Sequence, residues 1–187
     1  MTESIIEFFR SLGINGKLLI PVIAAMPVVE LRGAIPFAVW VMKYGVLESL
    51  MLSLVGNWLI TVPLVFFFDF LAGRLKKYEF GEKLLEKLYE RGRKRGELVR
   101  VYKSLGLFLF VAIPLPGTGA WTGALMAFLF NIRKRYSFLS ILAGVTVAGI
   151  IVSLFVSLGP LYGTITGIVF IIGVSRLLLI MLRKVSR

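Results

Sequence analysis

The sequence contains no cysteine, no histidine and no glutamine. The absence of cysteine excludes disulfide bonds, and the absence of cysteine and histidine together excludes the usual structural zinc sites and haem ligation by these residues. Catalysis by a cysteine nucleophile or by a histidine base is excluded as well. No Ser–His, Cys–His or metal-ligand set can be assembled, so we expect no enzyme activity, no metal and no cofactor.

Charge is scarce, and the apolar runs are long. Hydrophobic residues make up 58% of the 187 residues, and the mean hydropathy is +0.89, which is too apolar for a soluble domain. The stretch from Val46 to Phe68 holds one charged residue, Glu48. Because about 20 apolar residues span a bilayer, we predict an all-α polytopic membrane protein whose single membrane domain comprises residues 1–187.

Acidic residues are few relative to basic ones. The chain has 22 Lys and Arg against 10 Asp and Glu, a formal net charge of +12. Nucleic acid is the obvious partner for such a charge, but basic residues of membrane proteins collect in cytoplasmic loops and meet anionic lipid headgroups. We therefore expect membrane lipids as partners and no nucleic acid.

Proline interrupts two of the apolar segments. The segments lie at roughly 18–42, 46–73, 105–130, 137–158 and 160–182. The first contains "PVVELRGAIP" at 27–36, and the third contains "IPLPGTGAWTG" at 113–123. Proline removes a helical hydrogen bond and clashes with the preceding turn. We therefore predict a helical hairpin in each of these two segments.

Two polar regions flank the apolar segments. The first charged side chain of residues 1–17 is acidic, Glu3, unlike in a signal peptide, and Ile5, Phe9 and Leu12 fall on one helical face. We predict a short interfacial helix there. Residues 74–104 are rich in basic residues and carry a leucine stripe. They predict a cytoplasmic amphipathic helix; the alternative is a helix that docks a partner protein.

The distribution of Lys and Arg predicts the topology. Clusters at 74–103, 133–135 and 183–187 are expected on the cytoplasmic side. A segment 105–130 that crossed the membrane would separate the first two clusters, whereas a re-entrant segment keeps all three on one side. We therefore predict re-entrant hairpins, an external N-terminus and a cytoplasmic C-terminus.

The two halves of the chain have the same plan. A Gly-Ala pair follows each break, at 33–34 and 123–124, about 90 residues apart. We predict an inverted repeat whose broken elements meet at mid-depth, as in secondary transporters. The predicted divisions are an N-terminal interfacial helix, a first repeat, the amphipathic helix, a second repeat, and a C-terminal transmembrane helix with a basic tail: 1–17, 18–73, 74–104, 105–158 and 159–187.

The charges inside the first broken segment are the main candidates for function. A charge at the centre of a membrane helix costs about 3 kcal/mol or more, so Glu30 and Arg32 are expected to line a polar cavity at the hairpin tip. Arg32 offers a planar set of donors suited to phosphate or carboxylate. Glu30 can gain or lose a proton, which suits a proton-coupling group. The alternative is that the two residues only pair with each other or cap the helices.

Further lining residues are predicted elsewhere. Gly117, Thr118 and Gly119 can present backbone N–H groups to an anion at the start of a helix; the alternative is that these glycines only allow close helix packing. Trp121 and Thr118 are second-rank lining candidates. Asn57 can line the cavity or instead join helices by hydrogen bonds. Gly159, Gly163 and Gly167 are expected to pack helices, within one chain or in a homodimer.

At "PVVELRGAIP" and "PLPGTGAWTGAL" the sequence resembles the small multidrug export proteins, which themselves resemble a branch of the DedA/VTT superfamily of membrane proteins. The resemblance covers roughly residues 15–160. It implies the inner or plasma membrane of a bacterium or archaeon, two opposed re-entrant hairpins, and movement of lipids across a bilayer. DedA proteins typically have paired arginines flanking a proline in the second hairpin. Here those positions are Val111 and Gly117, so a double-arginine phosphate clamp is not implied.

Three functions follow from these patterns. The first is a transporter or lipid flippase for an amphipathic anion, with a lipid-phosphate-like substrate and coupling to protons at Glu30. The second is an exporter of lipophilic cations in which Glu30 binds the substrate and Arg32 holds Glu30. The third is a membrane factor that transports nothing and recruits a partner through residues 74–103.

Overall fold

The structure is a computed structural model that describes residues 16–75, 90, 97–115 and 117–185. In that part of the chain it contains helices and connecting turns and no strand, which confirms the all-α prediction for those residues. The predicted interfacial helix at 1–17 and most of the amphipathic helix at 74–104 lie outside the described residues. The α-helices are α1 Gly16–Ala25, α2 Glu30–Pro36, α3 Val46–Leu75, α4 Glu97–Ala112, α5 Ala120–Leu129, α6 Lys134–Ser157 and α7 Pro160–Val185.

Among the described residues, three helices are long and apolar enough to cross a membrane. The qualifying stretches are Val46–Ala72 in α3, Lys134–Ser157 in α6 and Pro160–Leu177 in α7. They coincide with three of the apolar segments found in the sequence. The chain is therefore a multi-pass membrane protein, as predicted.

The two proline-containing segments each form two shorter helices. In the first, α1 has 10 residues and α2 has seven, and a five-residue π-helical turn, Phe37–Val41, continues α2. At 1.5 Å per residue, α1 is about 15 Å long, or about half of a hydrocarbon core of about 30 Å. In the second segment α5 also has 10 residues. None of these helices is long enough to cross a bilayer.

The third apolar segment joins the preceding polar region at a sharp bend. Lys103 has φ 46° and ψ −114°, which is not helical. The predicted division between residues 104 and 105 lies directly after this bend. After the bend about nine residues remain in α4, which again amounts to less than half of the bilayer.

The chain divides into two compact units, one formed by Met1–Leu54 with Gly149–Arg187 and the other by Val55–Ala148. In the first unit α1 packs against α2, and a Cβ on Gly149 would lie 2.8 Å from Leu50 Cδ1 and 3.7 Å from Leu31 Cδ1. Gly149 thus allows residues of α2, α3 and α6 to pack closely. The buried apolar side chains contributed by α1, α2 and the π-helical turn are Leu19, Ile20, Ala24, Leu31, Ala34, Ile35 and Ala38.

In the second unit Val111 is fully buried. Its side chain lies against two glycines, because a Cβ on Gly123 or on Gly144 would come within 2.7 Å of Val111 side-chain atoms. The hydroxyl of Ser140 donates to the carbonyl oxygen of Ser104 at 2.8 Å. Glycine on α5 and α6 therefore brings both helices close to α4, as is common for helices in lipid.

The turn between α6 and α7 is tight, and it depends on glycine. Gly159 has φ +88°, a left-handed conformation that glycine adopts without the Cβ clash. The N–H of Gly159 donates to Val156 O at 3.1 Å, and the indole N–H of Trp40 donates to the same oxygen at 3.2 Å. Trp40, which lies in the π-helical turn, thus contacts the C-terminal end of α6.

Gly163 on α7 packs directly against the backbone of α6 at Phe155. A Cβ there would overlap the carbonyl oxygen of Phe155, whereas a Cβ on Gly167 would lie 3.9 Å from the Phe155 ring. The predicted glycine face of α7 is therefore used within the chain at Gly163.

Substitution of Gly163 by alanine is expected to destabilise the protein by about 1–3 kcal/mol, because the backbone must shift to admit the methyl group. Substitution of Gly167 is the matched control, since its Cβ has room and alanine is the better helix former by about 1 kcal/mol. Thermal unfolding in detergent measures both. An equal loss of stability in the two variants would contradict the packing described for Gly163.

The order of elements repeats along the chain. Two short helices precede a long one at Gly16–Leu75 and again at Glu97–Ser157. The described parts of the two halves share this order of elements, and the inverted repeat stays a prediction.

Candidate functional site

The turn between α1 and α2 places Glu30. Proline at position 27 favours an end to α1, and residues 26–29 form the turn. Glu30 has φ 48°, a left-handed conformation that is uncommon for a residue with a Cβ. Its N–H donates to Met26 O at 3.1 Å. Backbone outliers of this kind are concentrated at functional sites, and this one sets the direction of the Glu30 side chain.

Glu30 and Arg32 form a largely buried ion pair. Arg32 Nη1 lies 3.1 Å from Glu30 Oε2, and the side chains are 19% and 6% exposed. The pairing is what the structural alternative predicts.

The α-helical backbone is interrupted again after the ion pair. Pro36 ends α2, and Met42 N–H donates to Phe37 O at 3.1 Å, five residues back, as in a π-helix. Such turns are rare and often occur at functional sites. The charged pair thus lies on a short helix with irregular backbone at both ends.

The α1–α2 turn is both exposed and apolar. Met26 is 45% exposed, Val28 91% and Val29 38%. Turns that face water usually carry glycine, asparagine, aspartate or serine. An exposed turn of Met, Pro and Val is suited to contact with hydrocarbon.

The second broken segment contains the predicted glycine-rich loop. Helix α5 begins at Ala120, directly after Gly119, so a helix does start at this loop as predicted. Gly117 has φ +79° and a Cβ there would meet nothing within 4 Å. The hydroxyl of Thr118 donates to Ile113 O at 2.7 Å or to Leu115 O at 2.9 Å. Thr118 therefore satisfies the loop backbone, which irregular chain in a membrane requires.

The remaining predicted residues occupy defined places. Trp121 is partly buried in the first turn of α5, and Asn57 is fully buried in α3. Glu30 and Arg32 lie together in the first unit. Residues 117–119 and Trp121 lie together in the second, and Asn57 lies on a different helix of that unit.

A row of buried polar residues on α3 was not predicted as a set. Ser49, Ser53, Asn57 and Thr61 are all 0% exposed and follow one another at four-residue spacing, so they share a helix face. Thr61 donates to Asn57 O at 2.6 Å, and Ser49 donates to Gly45 O at 2.8 Å. The four-residue spacing in the sequence is the signal that identifies them. A polar face on a spanning helix can join helices or line a polar path.

Two buried hydroxyls stand out. Ser53 Oγ on α3 and Ser153 Oγ on α6 have no hydrogen-bond partner among the described residues. A buried polar group without a partner costs about 1–3 kcal/mol. These hydroxyls are therefore places where a water molecule or a ligand group would be stabilised.

The described residues contain no cluster of three or more acidic side chains that could hold a metal ion. The chemistry available at Glu30 and Arg32 is therefore ionic and hydrogen-bonding: a carboxylate that can exchange a proton and a guanidinium that can hold an oxyanion.

A protein-family model described as "Putative small multi-drug export protein" matches residues 30–151, about two-thirds of the chain. The match begins at Glu30 and includes the second broken segment. No curated protein and no solved structure matches the chain.

Proposed function

We propose, on the premise that this chain belongs to the small multi-drug export protein family, that it is a secondary transporter or flippase for an amphipathic anion of the lipid-phosphate type. In this proposal Arg32 holds the anionic group of the substrate and Glu30 exchanges the coupling proton. The observation that carries the proposal is the buried ion pair, whose Arg32 side chain stays 19% exposed.

The environment of the pair supports a role in binding. A pair kept only for stability is readily replaced by apolar side chains, often at no cost. Here the pair coincides with a left-handed backbone at Glu30 and is followed by a π-helical turn at Phe37–Val41. Both features cost free energy that a purely structural segment does not need.

The membrane placement of the pair is part of the proposal. The helices on both sides are too short to cross a bilayer, and the exposed residues of the turn are apolar. A re-entrant hairpin that enters from the outside brings Glu30 and Arg32 to mid-depth. A charged pair at that depth is costly to maintain. A role in binding a substrate or an ion accounts for its presence there.

Export of lipophilic cations is the second candidate. The family description favours it, and Glu30, at 6% side-chain exposure, would then be the acceptor for the cation. Arg32 opposes this assignment, since a fixed positive charge at 3.1 Å from the carboxylate already neutralises it.

The charge of the transported substrate separates the two candidates. The purified protein in liposomes is offered a fluorescent anionic amphiphile, such as a labelled phosphatidylglycerol, and a fluorescent lipophilic cation. The proposal expects movement of the anion at a rate above that of protein-free liposomes, with little movement of the cation. Transport of the cation alone would establish the second candidate, and transport of neither would remove both.

The re-entrant topology has a separate test, made simple by the absence of native cysteine. A single cysteine at Arg135 is expected to react with an impermeant reagent only from the cytoplasmic side, and one at Tyr44 only from the outside. If residues 97–129 crossed the membrane, both cysteines would react from the same side. That result would contradict the re-entrant arrangement of the second segment.

A further inference from the structure

A cavity outside the candidate site lies where α5 gives way to α6. Its volume is about 250 Å³, and it is lined by Val65, Ala127, Phe128, Asn131, Ile132, Arg133, Lys134 and Ser137. Helix α5 ends at Leu129, and α6 begins at Lys134. Asn131, in the connection, has φ 51°, and Ile132 N–H donates to Ala127 O at 2.9 Å. This reversal of the chain shapes the opening of the cavity.

The cavity has an apolar wall and a cationic rim. Val65, Ala127 and Phe128 supply the apolar part, and Arg133 and Lys134, both exposed, supply two positive charges. Lys134 Nζ lies 4.6 Å from the centroid of the Phe66 ring, which orients the ammonium group by a cation–π contact. No acidic residue is among those lining the cavity.

The start of a helix also lies at the cavity. The N-terminal end of a helix carries a partial positive charge, and α6 begins at Lys134, one of the lining residues. Ser137, 1% exposed, closes the first turn of α6 through its N–H to Arg133 O at 3.0 Å. Two cations, a helix start and a concave wall together select an anion with several acceptor oxygens.

The size of the cavity restricts the ligand. Pockets for drug-sized molecules usually measure about 300–1,000 Å³, so 250 Å³ suits a single headgroup-sized anion better than an entire drug. Large apolar side chains of the same unit are exposed nearby in sequence, among them Phe66, Phe67 and Leu139 at 54%, 44% and 60%. They give acyl chains an apolar surface.

We propose that this cavity binds the phosphate group of an anionic phospholipid, with Arg133 and Lys134 as the charged contacts. The site lies entirely within residues 55–148 and does not rest on the transport proposal. It acts as a fixed anchor for a lipid of the cytoplasmic leaflet, the side on which basic clusters are expected.

The test uses the full chain in a neutral detergent, titrated with short-chain phosphatidylglycerol while thermal unfolding is followed. The lipid is expected to raise the melting temperature of the wild type. Arg133→Gln and Lys134→Gln are each expected to weaken the apparent lipid affinity about ten-fold, the usual effect of losing one charged hydrogen bond. Arg135→Gln is the matched control, because Arg135 belongs to the same basic cluster and is not among the lining residues.

Three results would overturn the proposal. An equal loss of affinity in Arg135→Gln would assign the effect to general surface charge. An equal shift with phosphatidylcholine would show that the site does not select a net negative lipid. A full shift with inorganic phosphate alone would assign the cavity to a soluble anion. All three variants change exposed residues, and the melting temperature without lipid verifies that each one is folded.

Discussion

Replacement of Arg32 by lysine is expected to lower the rate of anion transport by about ten-fold. A hydrogen bond to a charged group contributes about 1.5–3 kcal/mol, and lysine keeps the positive charge but loses the planar fork that can hold a phosphate with two parallel bonds. Arg32→Ala removes the charge too, and its rate is expected to fall by about 100-fold. The measurement is uptake or flipping of a labelled anionic amphiphile in liposomes.

An exposed ion pair in the same unit provides the control for Arg32. Lys17 Nζ lies 2.7 Å from Glu48 Oε1, and the two side chains are 56% and 39% exposed. The hydrogen bond and the charge of Glu48 raise the pKa of Lys17. Exposed pairs contribute little to stability, so Lys17→Gln is expected to leave transport unchanged. Equal losses of transport in Lys17→Gln and Arg32→Lys would remove the special role given to Arg32.

The second large effect is expected at Glu30. Glu30→Gln is nearly isosteric and keeps a hydrogen-bond acceptor for Arg32, but it cannot exchange a proton. Wild-type transport is expected to rise when a pH gradient is imposed across the vesicle, whereas the variant is expected to transport at one rate with or without the gradient. Substrate can still move down its own gradient in the variant.

The comparison is made between two rates of the same preparation, so it does not depend on the amount of protein inserted. Full dependence on the pH gradient in Glu30→Gln would show that another group carries the proton. Loss of transport under both conditions would place Glu30 in substrate binding instead of coupling. Neither result would bear on the phospholipid site proposed at Arg133 and Lys134, because that site is tested by lipid binding and not by transport.

The positions of the helices follow closely from local features of the sequence. Proline and glycine interrupt the apolar segments at 26–29 and 113–119, where the structure has its turns. The bend at Lys103 lies where the polar region gives way to the apolar one. Hydropathy located the three helices that are long enough to span a membrane, but it did not distinguish them from residues 104–132, which carry no charge and which the proline and glycine breaks divide into shorter helices.

Features that depend on packing were beyond the reach of sequence reasoning. The π-helical turn after Pro36 is one of them, because the extra residue per turn is tolerated only when neighbouring structure supports it, here with Trp40 bonded to Val156 O. The cavity beside Lys134 is another. The basic cluster at 133–135 was interpreted only as a marker of topology. The cavity beside it is formed where α5 ends and the chain turns into α6.

The candidate site was predicted in part. Glu30 and Arg32 were identified as the unusual charges, and their pairing was among the alternatives. The left-handed backbone at Glu30 was not foreseen, because proline at 27 signals a turn without fixing which residue takes the strained conformation. The hydroxyl of Thr118 bonds the loop carbonyls, a local contact that serine and threonine often make in turns, and its predicted role in lining a cavity stays a prediction.

Whether the Glu30–Arg32 pair acts on a substrate or only holds the hairpin is the central question, and one double variant tests it. Glu30→Met with Arg32→Met replaces the pair by flexible apolar side chains of similar size, a change that is often neutral or stabilising for a buried pair. We expect a melting temperature equal to or above that of the wild type, together with transport no faster than in protein-free liposomes. Wild-type transport by a well-folded double variant would contradict this expectation and would make the pair structural.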